Sequence, residues 1–209
     1  MRHMAESSTA TGTRVRMTPE RRREQLLDLG VRLLSSRSLE QMSIEVLAEE
    51  AGVSRGLLYH YFGNKEDFHR AVVRRAADDL IAVTAPAQGD DPVTVLTDSL
   101  GAYVDYVVAN RPGYLSLVRA AAGGNEALRE IYEEARASMT DRMLERSGEP
   151  GVAALGYEDT PAVRLMVRGW SALAESVVLD WSADPAGVTR DELLAALAGS
   201  LFGALDAAR

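Results

Sequence analysis

The side chains best suited to chemistry crowd into one short segment. Between positions 43 and 65 the chain places Ser43, Ser54, Arg55, Tyr59, His60 and its one lysine, Lys65. Each of these groups can donate a hydrogen bond to an anion. A guanidinium pairs in bidentate fashion with a guanine edge, while hydroxyl, imidazole and ammonium groups suit phosphate oxygens. Gly56 and Leu57 lie among them. Without a Cβ, Gly56 lets the backbone approach a large ligand closely. The set points to recognition of a polyanion rather than to bond making.

Catalysis finds little to use. The chain has three histidines, His3, His60 and His69, and no cysteine, which excludes a cysteine nucleophile, a thiolate zinc site and a disulfide framework. No His-Glu-x-x-His, glycine-rich phosphate loop or nucleophile elbow is present. The pairs Asp78-Asp79 and Glu133-Glu134 are adjacent, so on a helix they diverge and suit a solvated face. His60 and His69 are nine residues apart across a helix boundary and lack a third ligand. No enzyme, metal or cofactor is expected.

Charge supports the polyanion reading weakly. Residues 1–77 carry 13 Lys/Arg and 10 Asp/Glu, a net charge of +3, and residues 78–209 carry 10 and 21, a net charge of −11. A mildly basic head on an acidic body is the asymmetry of a nucleic-acid-binding head, although the excess is small. The longest uncharged runs, Leu80 to Gly89 and Leu193 to Leu205, are too short to span a bilayer. With no signal-peptide pattern at the start, a soluble, cytoplasmic protein without membrane partners is expected.

The elements that must hold these residues read as helices throughout. Residues 1–17 lack apolar periodicity and form a flexible arm, in which Arg14 and Arg16 could enter a minor groove. Thr18-Pro19-Glu20 starts the first helix, with Leu26, Leu27, Gly30, Leu33 and Leu34 facing inward. Ser43 caps a second (Ile44, Leu47, Ala48 and Ala51 on one face), closed by Gly52. Ser54 caps a third running to Phe62. Asn64, with Asp67 three residues later, opens a helix reaching Ala85 with Phe68, Val72, Leu80 and Val83 inward. Pro92 to Asn110 follows with Val93, Leu96, Leu100, Tyr103, Val104 and Val107, stopped by Arg111-Pro112. A short helix around Tyr114 to Ala121 ends at Gly123-Gly124, and a charged one runs from Asn125 to Arg146. Thr160-Pro161 starts a helix with Val163, Met166, Val167, Trp170, Leu173, Ala174, Val177 and Trp181. Thr189 to Glu192 starts the last, with Leu193, Leu194, Leu197, Leu201, Phe202 and Leu205. The fold class is all-α with about nine helices and no strand.

The second and third helices are joined by a tight Gly52-Val53 turn. Gly52 can take positive φ, Ala48 permits close crossing, and Val53 fills the corner. This is helix-turn-helix spacing, in which the second helix offers its first turn, here Arg55, to a major groove. An ordinary helical hairpin has the same spacing. Ile44, Leu47-Ala48, Ala51-Gly52-Val53-Ser54, Gly56, Leu58-Tyr59, Tyr61-Phe62, Lys65 and Phe68 together resemble the N-terminal signature of the TetR (tetracycline-repressor-like) family of transcriptional regulators. The resemblance covers about residues 19 to 70. Leu57 stands where that family often has a small or hydroxylated residue, which bears on base preference, and Phe62 and Tyr61 read as core.

The resemblance implies a homodimer that binds a palindromic double-stranded DNA operator, most often as a repressor, and is released by a small-molecule effector. It implies three segments: an arm at 1–17, a DNA-binding head at 18–63 and an effector-binding and dimerisation domain at 64–209. The alternative is a helical small-molecule sensor or interaction protein without operator binding. Expected DNA contacts are Ser43, Ser54, Arg55, Gly56, Leu57, Tyr59, His60 and Lys65. Plausible effector contacts are Tyr103, Tyr106, Tyr114, Arg119, Tyr132, Arg136, Met139 and Trp170, which mix apolar bulk with polar tips. A dimer interface is expected from Trp170, Val177, Trp181, Leu194, Leu197, Leu201 and Leu205, in preference to packing of these faces in the protomer's own core, because the last two helices have wide apolar faces and Ala195, Ala196, Ala198, Gly199, Gly203 and Ala204 permit close approach. Arg164 and Arg168, one turn apart, could meet an anionic ligand, but pairing with Glu175 or with acids of a neighbouring helix is the preferred expectation.

Overall fold

A computed structural model of the chain describes residues 18–86, 91–144 and 151–209. Among these residues there are ten helices and no strand. They are α1 (Pro19–Leu33), α2 (Ile44–Ala51), α3 (Arg55–Phe62), α4 (Lys65–Val83), α5 (Pro92–Ala109), α6 (Arg111–Ala122), α7 (Glu126–Leu144), α8 (Gly151–Ala154), α9 (Pro161–Ala183) and α10 (Arg190–Asp206). The arm and its Arg14 and Arg16 lie outside the described residues.

Local chemistry sets the helix starts. The hydroxyls of Thr18, Ser43, Ser54, Thr160 and Thr189 each accept an amide of the first turn, as does the Asn64 side chain. Such caps satisfy amides that have no intrahelical partner, each contributing about 1 kcal/mol. At α10 the cap is reciprocal, with Glu192 also accepting from the Thr189 amide at 2.8 Å. Gly52 ends α2 at φ 62°, ψ 38°, a left-handed conformation that a side chain would strain.

Two apolar clusters form. The head cluster joins α1, α2 and α3 (Leu26, Ile44, Leu47, Leu58, Phe62) to Phe68 and Val72 of α4 and to Leu128 and Ile131 of α7. The body cluster takes Leu80, Leu100, Val104, Trp170, Leu197 and Leu201 from α4, α5, α9 and α10. Thus α4 and α7 belong to more than one layer. A Cβ on Gly30 of α1 would stand 2.6 Å from Val72 Cγ2, so the α1–α4 crossing is close enough to require glycine. Ion pairs brace the same seam: Arg75 meets Glu24 at 2.7 Å and Asp28 at 2.9 Å, and Arg74 meets Glu134 of α7.

A second seam runs through α6. The Gly113 amide donates to Leu34 O at 3.0 Å, and the Leu39 amide donates to Ser116 Oγ at 2.9 Å. Ser116 in turn donates to Gly113 O at 3.0 Å. A Cβ on Gly113 would stand 2.6 Å from Leu34 Cβ and 2.9 Å from Leu34 O. The connection between α1 and α2 is therefore hydrogen-bonded directly to the first turn of α6.

Several expectations are corrected. Arg111-Pro112 does not simply end α5; it begins α6, where a proline in the first turn loses no hydrogen bond. The short helix α8 carries no capping or periodic signal. Val83 and Val93 are 52% and 46% exposed, because each lies at a helix end beyond the reach of the body cluster. Arg164 pairs with Asp159 at 2.8 Å, just ahead of its own helix, rather than with Glu175, and Arg168 is exposed.

The dimer-interface expectation changes most. Leu197, Leu201 and Leu205 are 2%, 0% and 0% exposed within one protomer, and Trp170 and Leu194 are also buried. The periodicity that suggested a partner surface describes the face α10 turns to its own core. Val177 remains at the surface and Trp181 partly so, its indole donating to Val188 O at 2.9 Å. The outward apolar residues are instead Leu165, Leu173 and Val177 on α9, with Ala195, Ala196, Gly199 and Gly203 on α10.

Candidate functional site

The α2–α3 apex carries the segment rich in donors. Ser43 Oγ accepts from the Val46 amide at 3.2 Å, and Ser54 Oγ accepts from the Leu57 amide at 3.3 Å. The Ser43 hydroxyl donates in turn to the Glu45 carboxylate, which, after the backbone bond, helps hold that carboxyl below its ordinary range. Arg55 is the first residue of α3, with its side chain 67% exposed and held only loosely, 3.7 Å from Glu45. Gly56, Tyr59, His60 and Lys65 are also exposed, Leu57 is half-buried, and Leu58 and Phe62 anchor the other face in the core. The nearest heavy atom to a Cβ built on Gly56 is Ser54 Oγ at 4.0 Å, so no neighbour in the fold demands a glycine there.

At the far end, α5, α7, α8 and α9, with Tyr114 of α6 and Thr84 just past the end of α4, line a half-open cavity of about 580 Å³. Its wall is mostly apolar, including Leu96, Leu100, Met139, Met143, Val152 and Trp170. A buried polar network lies along one side. Tyr114 donates to Glu175 Oε1 at 2.7 Å and Tyr132 to Glu175 Oε2 at 2.5 Å. The Tyr103 hydroxyl lies 3.0 Å from that of Tyr114, and since the Tyr114 proton goes to Glu175, Tyr103 donates to Tyr114. Burial, reinforced by the neighbouring Tyr103 and Glu175, pushes the Tyr114 hydroxyl well above the ordinary tyrosine range. Burial raises Tyr103 similarly, and burial with the Glu175 bond pushes Tyr132 up to about 12. All three keep their protons at neutral pH. Arg136 reaches the Tyr132 hydroxyl at 3.1 Å and Ser171 Oγ at 3.3 Å.

Of the eight expected effector contacts, Tyr103, Tyr114, Arg136, Met139 and Trp170 line this cavity. Tyr132 reaches it through Glu175 but lines, with Tyr106, a neighbouring crevice of about 40 Å³. Tyr106 is pinned there by donating to Ala76 O of α4 at 2.7 Å. Arg119 is exposed and outside both walls. Five residues beyond Tyr114, it is rotated by about 140° around α6. Sequence reasoning missed Glu175 as a cavity group and missed Ser99, Thr140 and Leu155 altogether. A signal for Glu175 existed: a carboxylate whose i+3 and i+4 neighbours, Val178 and Leu179, are buried.

Comparison with known proteins agrees with this geometry. The family described as "Bacterial regulatory proteins, tetR family" matches residues 26–72, and "Tetracyclin repressor-like, C-terminal domain" matches residues 92–203, more than half of the chain. The chain belongs to the TetR family. Another TetR-family transcriptional regulator, from Streptomyces coelicolor, has a solved structure that superposes with a TM-score of 0.79 at 31% identity, covering 92% of this chain and 83% of that one. The HTH-type transcriptional regulator HbdR of Aromatoleum sp. is 29% identical over 61% of this chain and 56% of its own length. The HTH-type transcriptional regulator BetI of Brucella canis is 37% identical over 32% of this chain and 33% of its own length. The chain thus aligns with only a third to about half of these curated relatives. Among the described residues of this TetR-family protein, no helix is long and apolar enough to cross a membrane, and no group of three His, Asp or Glu side chains could hold a metal.

Proposed function

We propose that the chain is a ligand-responsive transcriptional regulator, a repressor that binds a palindromic DNA operator as a homodimer in the cytoplasm and releases it on binding a small molecule in the α5–α9 cavity. The α3 surface carries this reading: Arg55, Gly56, Tyr59, His60 and Lys65 are exposed on one short helix and its flank, while Leu58 and Phe62 hold that helix to the head. Arg55 reads a guanine edge, and Lys65, Tyr59 and the Ser54 hydroxyl meet phosphates, joined by Ser43 when its hydroxyl exchanges Glu45 for a phosphate oxygen. Residues 18–63 serve as the head and 64–209 as the sensing and dimerising body, with α4 carrying the signal between them.

A two-fold dimer must set its recognition helices about 34–36 Å apart. The partner surface is the outward face of α9 and α10, where Leu165 is 63% exposed and Leu173 47%. An added Cβ on Gly169, Gly199 or Gly203 would meet nothing within 4 Å, so two such faces can approach closely. Repression is lifted to the extent that the ligand prefers the head spacing that DNA does not fit.

Selection of bound fragments from genomic DNA, followed by titration at two salt concentrations, tests this. A palindromic consensus and an affinity that falls steeply with salt are expected. Lys65→Ala should flatten the salt slope by about one. Binding without sequence preference would refute the operator reading.

A further inference from the structure

The polar wall of the cavity is unbalanced. Glu175 is only 8% exposed, yet each carboxylate oxygen receives one neutral hydroxyl, from Tyr114 and from Tyr132. An ionised carboxylate offers about four acceptor positions, so about half of its capacity is unfilled among the described residues. Arg136 does not supply the missing cation. The Tyr132 hydroxyl stands between the guanidinium and the carboxylate, accepting from one and donating to the other. A buried charge met only by neutral donors recovers less of its lost hydration than one met by an opposite charge.

Three further observations bear on what fills the space. Ser99 Oγ, in the same wall, is buried without a hydrogen-bond partner. The rings of Tyr103, Tyr114 and Trp170 line the same space, and aromatic faces attract cations. Residues 78–209 carry a net charge of −11, a field that concentrates cations and repels anions. Two arginines also line the cavity, and both are engaged by the protein: Arg142 donates to Ile81 O at 2.6 Å, and Arg136 to the Tyr132 hydroxyl at 3.1 Å and Ser171 Oγ at 3.3 Å.

We propose that the cavity binds a lipophilic organic cation: an alkyl or aryl molecule whose amine or quaternary ammonium head sits at Glu175 between Tyr103, Tyr114 and Trp170. Its apolar part lies along Leu96, Leu100, Met139 and Met143. This rests on reading the cavity as the effector site, and it names the chemistry that site selects.

Calorimetric titration of the full chain, without DNA, with decyltrimethylammonium, decanol and decanoate tests the preference at constant hydrocarbon length, each probe below its micelle concentration. The cation should bind at least about tenfold more tightly than the alcohol, and the carboxylate most weakly. In Glu175→Gln, with helix content and melting checked, the ratio of cation to alcohol affinity should fall severalfold, to the smaller preference that the aromatic rings alone supply. Equal or tighter binding of decanol or decanoate overturns the proposal, as does absence of binding by all three. A folded Glu175→Gln that keeps the cation preference also overturns it. If that variant fails to fold, the wild-type panel decides alone. Because DNA takes no part, failure to select an operator would sink the regulator reading and leave this preference standing.

Discussion

At the α3 apex, Arg55, Tyr59, His60 and Lys65 stand in solvent and come from one continuous stretch of chain. At the cavity, Ser99, Tyr114, Arg136 and Glu175 come from α5, α6, α7 and α9 and are half-buried or buried. The first group depends on two capped helices and a glycine turn, all local. The second exists only once four helices have packed, and all but Ser99 are tied into one hydrogen-bond network through Tyr132 and Tyr114. Substitutions at the apex should therefore change what is bound and move stability by no more than about 1 kcal/mol. Substitutions of buried residues in the body should change the fold first.

The largest contrast is expected within the last two helices. Leu201→Glu puts a charge where exposure is 0% and should cost on the order of 4–5 kcal/mol, seen as loss of cooperative unfolding in a denaturant titration. Val177→Glu, on the outward face, should leave unfolding nearly unchanged and yield monomers by light scattering. A dimeric Val177→Glu would move the interface elsewhere. Next is the α6 seam: Gly113→Ala forces a methyl against Leu34 and should cost about 1–3 kcal/mol by the same titration.

The apex should respond in the other currency. Arg55→Ala should weaken specific DNA binding by about 1–3 kcal/mol and relax preference at one base pair per half-site, while stability moves by less than about 0.5 kcal/mol. Gly56→Ala sharpens the point. Inside a helix with open space at its Cβ, alanine should stabilise the head by about 0.5–1 kcal/mol and still reduce DNA affinity. Unchanged affinity would mean that DNA does not approach this backbone closely.

The smallest effect is one of pH. His69 Nε2 lies 2.5 Å from Met42 O, and burial holds its pKa below the ordinary histidine value. The folded head therefore binds this proton less readily than the unfolded chain. Its contribution is intact above about pH 6.5 and is lost as pH falls below that value. His69→Gln should flatten the loss in melting temperature across that acidic window.

The same contrast governs what was legible beforehand. Caps at Thr18, Ser43, Ser54, Asn64 and Thr189 announced helices because an N-cap is written within four residues, and the Gly52 turn was readable for the same reason. The place of Arg119 outside the cavity wall and of Glu175 within it is not directly legible in the sequence, because the direction of a side chain around α6 or α9 depends on which face the neighbours cover. Leu197 and Leu201 read as partner-facing in the sequence because α10 is apolar on its inward face and lined with small residues on its outward one. Periodicity marks an apolar stripe but not which of two surfaces will meet it.

The α6 seam also offers a clock. The amides of Leu39 and Gly113 have their acceptors across the junction, on Ser116 and Leu34, rather than within a helix. Neither can exchange with solvent deuterium until the head lifts from the first turn of α6. Their exchange rates therefore report the free energy of that lifting, separately from global unfolding. Tyr114, the residue after Gly113, donates to Glu175 in the cavity. Whatever occupies the cavity acts on the residue next to a junction amide, so occupancy should be read in the exchange of two protons that the ligand never touches.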